Sequence, residues 1–304
     1  MSEATLTQRP PSLQSAASDR WAKRPYTASP WLHEEVGARM ASRLSWIRLQ
    51  PQQWLSWWPL HGGMTTHAQV QAQYPQATCF VTEASPQRER KALALLQKPW
   101  WQRWFKPNKI KSTPPQTGQM QMIWANMALH LSDDPQALLK QWHQALAVDG
   151  FLMFSCLGPD TLRELRDVYA QQGWPPPSHD FTDMHDWGDM LVHAGFAEPV
   201  MDMERITLTY ADADSLLAEC RLLGRNLHRD RFAHLRGKQW LAQLKEVLLM
   251  LATPSQDGRL SLTVEVIYGH ALRPLPRPKV QAHSAVSLQD MRSMLGQSAG
   301  RTPQ

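Results

Sequence analysis

Apolar positions along the chain fall into two kinds of pattern, short continuous runs and helically spaced stripes, and the two alternate. Residues 31–49 place Leu32, Val36, Met40 and Leu44 near one helical face, and Pro51 ends that helix. Trp54-Leu55-Ser56-Trp57-Trp58-Pro59-Leu60 then reads as a short apolar strand closed by His61-Gly62-Gly63, with a helix following through Tyr74. Pro75 leads into a second strand over residues 77–82, ending at Glu83. Residues 88–97 read as a helix and 106–118 as a basic, proline-containing loop. Residues 120–125 form the next strand. Asp133-Asp134-Pro135 starts a helix, with acids at its positive end and proline where a missing N–H is harmless. Leu138, Leu139, Trp142 and Leu146 continue it, and Asp149-Gly150 is expected to close it.

The run Phe151-Leu152-Met153-Phe154-Ser155-Cys156 is the clearest buried strand, expected at the centre of a sheet. Beyond it, residues 159–170, 184–194 and 213–223 read as helices, and 173–177 as a stiff proline connector. Residues 199–210 and 261–270 have strand composition, the latter expected as an edge hairpin strand at the sheet end. Helix, strand, glycine turn, helix, strand and acid in that order begin a nucleotide-type βαβ unit, so the fold class is α/β and Rossmann-like.

Composition narrows the picture. The 304 residues are 42% hydrophobic, a globular proportion, and no run approaches the roughly 18 apolar residues of a membrane span. Residues 1–25 are expected to be a disordered leader, 26–274 the folded domain and 275–304 a flexible tail. Cys79, Cys156 and Cys220 stand far apart with no CxxC, which fits buried structural thiols in a cytoplasmic protein. The histidines form no metal-binding constellation, so no metal is expected. A net charge of +5 favours acidic partners. Arg103, Lys106, Lys109 and Lys111, interleaved with Trp101, Trp104 and Phe105, could receive an acidic carrier protein or nucleic acid, or be a solvated loop with an apolar anchor. Arg221, Arg225, Arg229 and Arg231 form a second basic group, readable equally as a charged helix face.

Several stretches in order carry a resemblance. They are Met122-Ile123-Trp124-Ala125-Asn126-Met127-Ala128-Leu129-His130, Asp149-Gly150-Phe151-Leu152-Met153-Phe154-Ser155, and Leu157-Gly158-Pro159-Asp160-Thr161-Leu162-Arg163-Glu164-Leu165. Asp183-Met184-His185-Asp186, Leu208-Thr209-Tyr210-Ala211-Asp212, Leu222-Leu223-Gly224-Arg225-Asn226 and Val266-Ile267-Tyr268-Gly269-His270-Ala271 follow. Together they resemble the class I S-adenosylmethionine-dependent methyltransferases, and among these the malonyl-acyl-carrier-protein O-methyltransferases of biotin biosynthesis. The resemblance spans residues 26–274 and is sharpest after Ile123. It implies a three-layer αβα fold whose parallel sheet ends in an antiparallel hairpin.

It also implies S-adenosyl-L-methionine as cosubstrate, and acyl carrier protein or a small acyl thioester as partner. Neither a membrane nor nucleic acid is expected. The family's Asp-x-Gly-x-Gly-type loop aligns with residues 56–63, where the acid is Ser56, the first glycine position is Trp58, and Gly62 and Gly63 remain. The resemblance assigns Gly62, Gly63, Glu83 and Asn126 to the cofactor, Glu83 as acceptor for ribose hydroxyls. The residues alone also allow a plain turn at Gly62-Gly63, an exposed strand-end acid at Glu83 and a helix-capping Asn126. No counterpart of the third-strand acid occurs around Lys109. Tyr26 matches a tyrosine that closes over cofactor and substrate, or is an anchoring aromatic. Phe181 matches an aromatic at the substrate mouth, preceded by Asp180 where the family has arginine. Methylating a carboxylate needs no general base, because the acceptor is already ionised at neutral pH; positioning and water exclusion suffice. Two functions follow as alternatives: a carboxyl methyltransferase, or a catalytically weak or inactive relative that acts by binding.

Overall fold

A computed structural model of the chain describes residues 13–25, 28–96, 109–112, 114–253 and 257–276. Tyr26, the tail from residue 277, and Trp101, Arg103, Trp104, Phe105 and Lys106 of the basic stretch lie outside the described residues.

The strands are β1 (Gln53–Trp57), β2 (Thr78–Thr82), β3 (Ile110–Lys111), β4 (Met120–Ala125), β5 (Leu146–Leu157), β6 (Ala197–Tyr210), β7 (Ala252–Thr253) and β8 (Arg259–Leu272). They join in one sheet of order β3-β2-β1-β4-β5-β8-β6, with β7 paired to β8. The first five are parallel; β8 runs antiparallel to both β5 and β6. Helices α2 (Trp31–Arg43) and α4 (Met64–Gln73) cover one face, α6 (Pro135–Ala145) and α8 (Met184–His193) the other.

The strand sequences explain this sandwich. Successive side chains point to opposite faces, so Trp54, Met122, Phe151 and Met153 pack beneath Leu32, Val36 and Met40 of α2. Leu55, Ile123, Leu152 and Phe154 meet Leu139, Trp142, Met190 and Leu191 from α6 and α8. A sheet covered on both faces needs nearly continuous apolar runs, as in residues 151–157, where Ser155 is the one polar side chain. A third cluster joins α7 (Arg163–Gln171), α9 (Ala213–Leu223) and α10 (Lys238–Leu248) through Leu165, Leu216, Leu244 and Leu248 to Leu260 and Leu262.

Several expectations are corrected. The 261–270 strand is not at the edge: β8 lies between β5 and β6, and Val264, Val266 and Ile267 are fully buried there. Asp149-Gly150 does not close a helix. The helix stops at Ala145 and β5 already pairs Leu146 with Met120 before a register shift. Helix α7 begins at Arg163 rather than at residue 159, because Leu162 takes a left-handed φ of 58°. The basic loop contains β3, and α10 was not anticipated. Within the segment expected to be a disordered leader, α1 (Ser15–Ala22) buries Ala17, Ser18 and Trp21, a helical stripe that its polar composition obscures.

Candidate functional site

Strand order reverses between β1 and β4, and the crevice at the carboxyl ends of such strands is where α/β folds place ligands. Gly62, Gly63, Glu83 and Asn126 all gather there. From β1 the chain enters Trp58 at φ 53° and ψ 56°, a left-handed conformation that suits glycine and strains other residues. The Trp58 N–H donates to the Thr82 carbonyl at 2.8 Å, tying the turn to β2. Its ring stacks on Trp57, with centroids 6.1 Å apart. The short helix α3 (Pro59–Gly62) follows, then Gly63 at φ 125° and α4.

The side chains of Glu83 and Asn126 face other groups of the chain. Glu83 accepts the Leu60 N–H at 2.8 Å and pairs with Arg88 of α5 (Pro86–Leu96) at 3.0 Å, both side chains being almost wholly buried. Burial pushes the Glu83 carboxyl above the usual range, opposed by the Arg88 charge and backbone N–H groups. Asn126 donates to the His33 carbonyl at 2.7 Å and to the Gly62 carbonyl, and accepts from the Ser155 hydroxyl at 2.6 Å. A Cβ on Gly62 would stand 2.9 Å from the Asn126 carbonyl oxygen, so this glycine is required by Asn126 itself. The first N–H groups of α4 are also satisfied: Met64 donates to Ser29, Thr65 and Thr66 to the Glu34 carboxylate.

His61 fills the centre. It is fully buried, donates from Nε2 to the Met127 carbonyl at 3.0 Å, and meets the rings of His33 at 4.3 Å and Trp21 at 4.9 Å. Burial lowers the pKa of His33 to about 4 and that of His61 well below its ordinary value, so both are neutral near pH 7. Ser56 of β1, where the family has its acid, pairs with His67 of α4 at 2.8 Å.

Phe181 stands apart from this group, in a second cavity of about 200 Å³ at the carboxyl end of β5. Leu157, Leu165, Phe181, Leu217 and Val264 give it apolar walls; Arg221 and Arg225 line it too. His130 and His179 join them, His179 donating to the His130 carbonyl at 3.1 Å. Burial holds His179 at about 4 and lowers His130 well below its ordinary value. Asn226 orders the rim by donating to Pro176 and accepting the His228 N–H.

Trp21, His33, Glu34, His61, Arg88 and Ser155 were not anticipated as crevice residues. A buried Arg88 resembles an ordinary charged helix residue in sequence. His61 and Trp58 carried the one available signal, bulky rings inside a glycine loop. Among the described residues no group of three His, Cys, Asp or Glu could hold a metal ion, and no helix is long and apolar enough to cross a membrane.

A parallel five-strand sheet, closed by an antiparallel pair and carrying its crevice beside β1 and β4, defines a class I methyltransferase fold. A putative methyltransferase from Bacillus halodurans shares it, with a TM-score of 0.51 at 15% identity, covering 78% of this chain and all of that one. No protein-family model matches the chain. A Gallionella capsiferriformans protein named malonyl-acyl-carrier-protein O-methyltransferase is 38% identical over 270 residues, 83% of this chain and 87% of that protein. One of the same name from Laribacter hongkongensis is 37% identical over 289 residues, covering 92% and 94%. The chain belongs to the malonyl-acyl-carrier-protein O-methyltransferase family, S-adenosylmethionine-dependent methyltransferases related to biotin synthesis.

Membership implies S-adenosylmethionine, and the crevice can be tested for it. Glu83, the acid that the resemblance assigns to ribose hydroxyls, is held by Leu60 and Arg88, Asn126 has both N–H groups and its oxygen engaged, and His61 is fully buried beside them. As arranged, these residues do not fit that cofactor.

Proposed function

We propose that the protein works on a carboxyl-bearing acyl group presented as a thioester by acyl carrier protein, the malonyl type named in its relatives, in a cytoplasmic setting. The cavity around Phe181 supports this reading and is the observation that carries it. Its apolar walls suit an acyl–pantetheine arm, and Arg221 and Arg225 suit anionic groups, whether the acyl carboxylate, the arm's phosphate or the acidic carrier. The neutral His130 and His179 add no competing charge. The family's reaction there is ester formation on the free carboxylate, for which no proton need be removed.

A second reading, binding of the acyl carrier without efficient turnover, is favoured by one observation, the engaged crevice. The test is titration of the full chain with malonyl-acyl carrier protein and with the carrier bearing no acyl group, alongside an assay for methyl ester. Preferential binding of the malonyl form, lost in Val264→Trp, supports the acceptor site. Equal binding of both forms, or none, refutes it. Methyl ester formation decides between the two readings.

A further inference from the structure

We infer that the donor crevice of this chain is filled by its own side chains, so that the groups which would contact a nucleoside instead hold the fold together. Three structural features converge on the same space. The backbone keeps the left-handed turn that a glycine loop requires, but Trp58 occupies it and lays its ring against Trp57 and within 6.5 Å of Trp21. Arg88 reaches under that ring, 5.7 Å from its centroid, and neutralises Glu83. A carboxylate so paired in a dry site is a poor acceptor for two further hydroxyl protons.

The third element is the histidine plug. His61 sits between Trp21 of α1 and His33 of α2, so the two amino-terminal helices are packed onto the crevice by ring contacts. His33 Nδ1 donates to the His61 carbonyl at 2.8 Å, and Arg88 donates to the Ala22 carbonyl at 2.8 Å. Cofactor entry therefore requires α1, α3 and Arg88 to move together. Glu34 already caps α4, so its N-terminus offers no open anion seat either.

The experiment compares this chain with the Laribacter hongkongensis relative by calorimetric titration with S-adenosylhomocysteine, a probe that needs no turnover. Binding at least about 100-fold weaker than in the relative is expected, the size of effect that two lost hydrogen bonds produce. Trp58→Gly combined with Arg88→Met should recover part of that loss. Because the double variant could unfold, hydrogen exchange of the Leu60 and Thr66 amides is followed in the native chain with and without the probe. Unchanged protection at both amides supports the filled crevice, even if the probe binds elsewhere. Affinity within about tenfold of the relative, with altered protection at those two amides, overturns it. Malonyl-acyl carrier protein binding, measured on the same sample, reports on the acceptor cavity separately and serves as a folding control.

Discussion

Replacing Asn126 by alanine removes three hydrogen bonds at one buried point. The His33 carbonyl lies within α2 and keeps its place in the helical ladder, so its loss is small. The Gly62 carbonyl and the Ser155 hydroxyl are different, since each loses a partner where water does not reach. At about 1–3 kcal/mol for each buried group left unsatisfied, and with the Met127 N–H still donating to Ser155, the sum is about 2–4 kcal/mol. Asn126→Asp tests the polarity of the arrangement. It would turn a donor into an acceptor facing two carbonyl oxygens, and should cost more than alanine at pH 8. Urea unfolding followed by tryptophan fluorescence measures both, with the midpoint falling at unchanged slope. If both variants lie within about 0.5 kcal/mol of the native chain, the size of an ordinary surface substitution, Asn126 does not pin the crevice. S-adenosylmethionine should restore no stability to Asn126→Ala.

The buried histidines set the acid limit of stability. His33, His67 and His179 are lowered to about 4 by burial, so the unfolded chain binds more protons below pH 6.5; stability is complete above that value and falls as pH drops towards 4. Each should lose about 2 kcal/mol by pH 5, and a flat stability profile from pH 7.5 to 5 would contradict the assignment. Arg88→Ala leaves the Glu83 carboxylate buried without its partner and should cost about 3–5 kcal/mol; pairing Arg88→Met with Glu83→Gln should recover much of it in thermal unfolding. Cys220 lines the acceptor cavity, and burial pushes its thiol up to about 12. Its labelling by a disulfide reagent should be slow at pH 8, still rise above pH 10, and slow further on adding malonyl-acyl carrier protein; labelling that levels off near pH 9 would count against this.

The sheet was legible because burial on two faces leaves continuous apolar runs, as in residues 120–125 and 151–156. What sequence obscured has physical causes. Helix α1 presents one buried stripe within Ser, Ala and Asp, too weak a periodicity to stand out. The place of β8 depends on pairing with β5 and β6, and strand order is not written in local pattern. At the crevice, the four residues that resemblance assigned to a cofactor do converge, and the glycine-loop departures at Ser56 and Trp58 were visible. Their engagement was not, since Glu83 finds Arg88 in the first turn of α5, and Asn126 reaches partners on α2, α3 and β5 that are distant in sequence.

Strand β6, at the end of the sheet, leaves a row of N–H and C=O groups facing outward along fourteen residues. Such a ribbon invites another molecule to continue it, the route by which sheet proteins aggregate. Here its beginning is spoiled for that purpose: Glu198 takes a left-handed φ of 50°, Pro199 has no N–H to offer, and the register slips between Ala197 and Val200. Further along, Asp202, Glu204 and Arg205 are drawn into ion pairs with Arg43, Arg39 and Asp160, so an approaching strand meets charges already fixed in place. The opposite end is β3, only two residues long. A sheet protected at both margins in this way can be kept concentrated, and can meet its partners, without its strands recruiting one another.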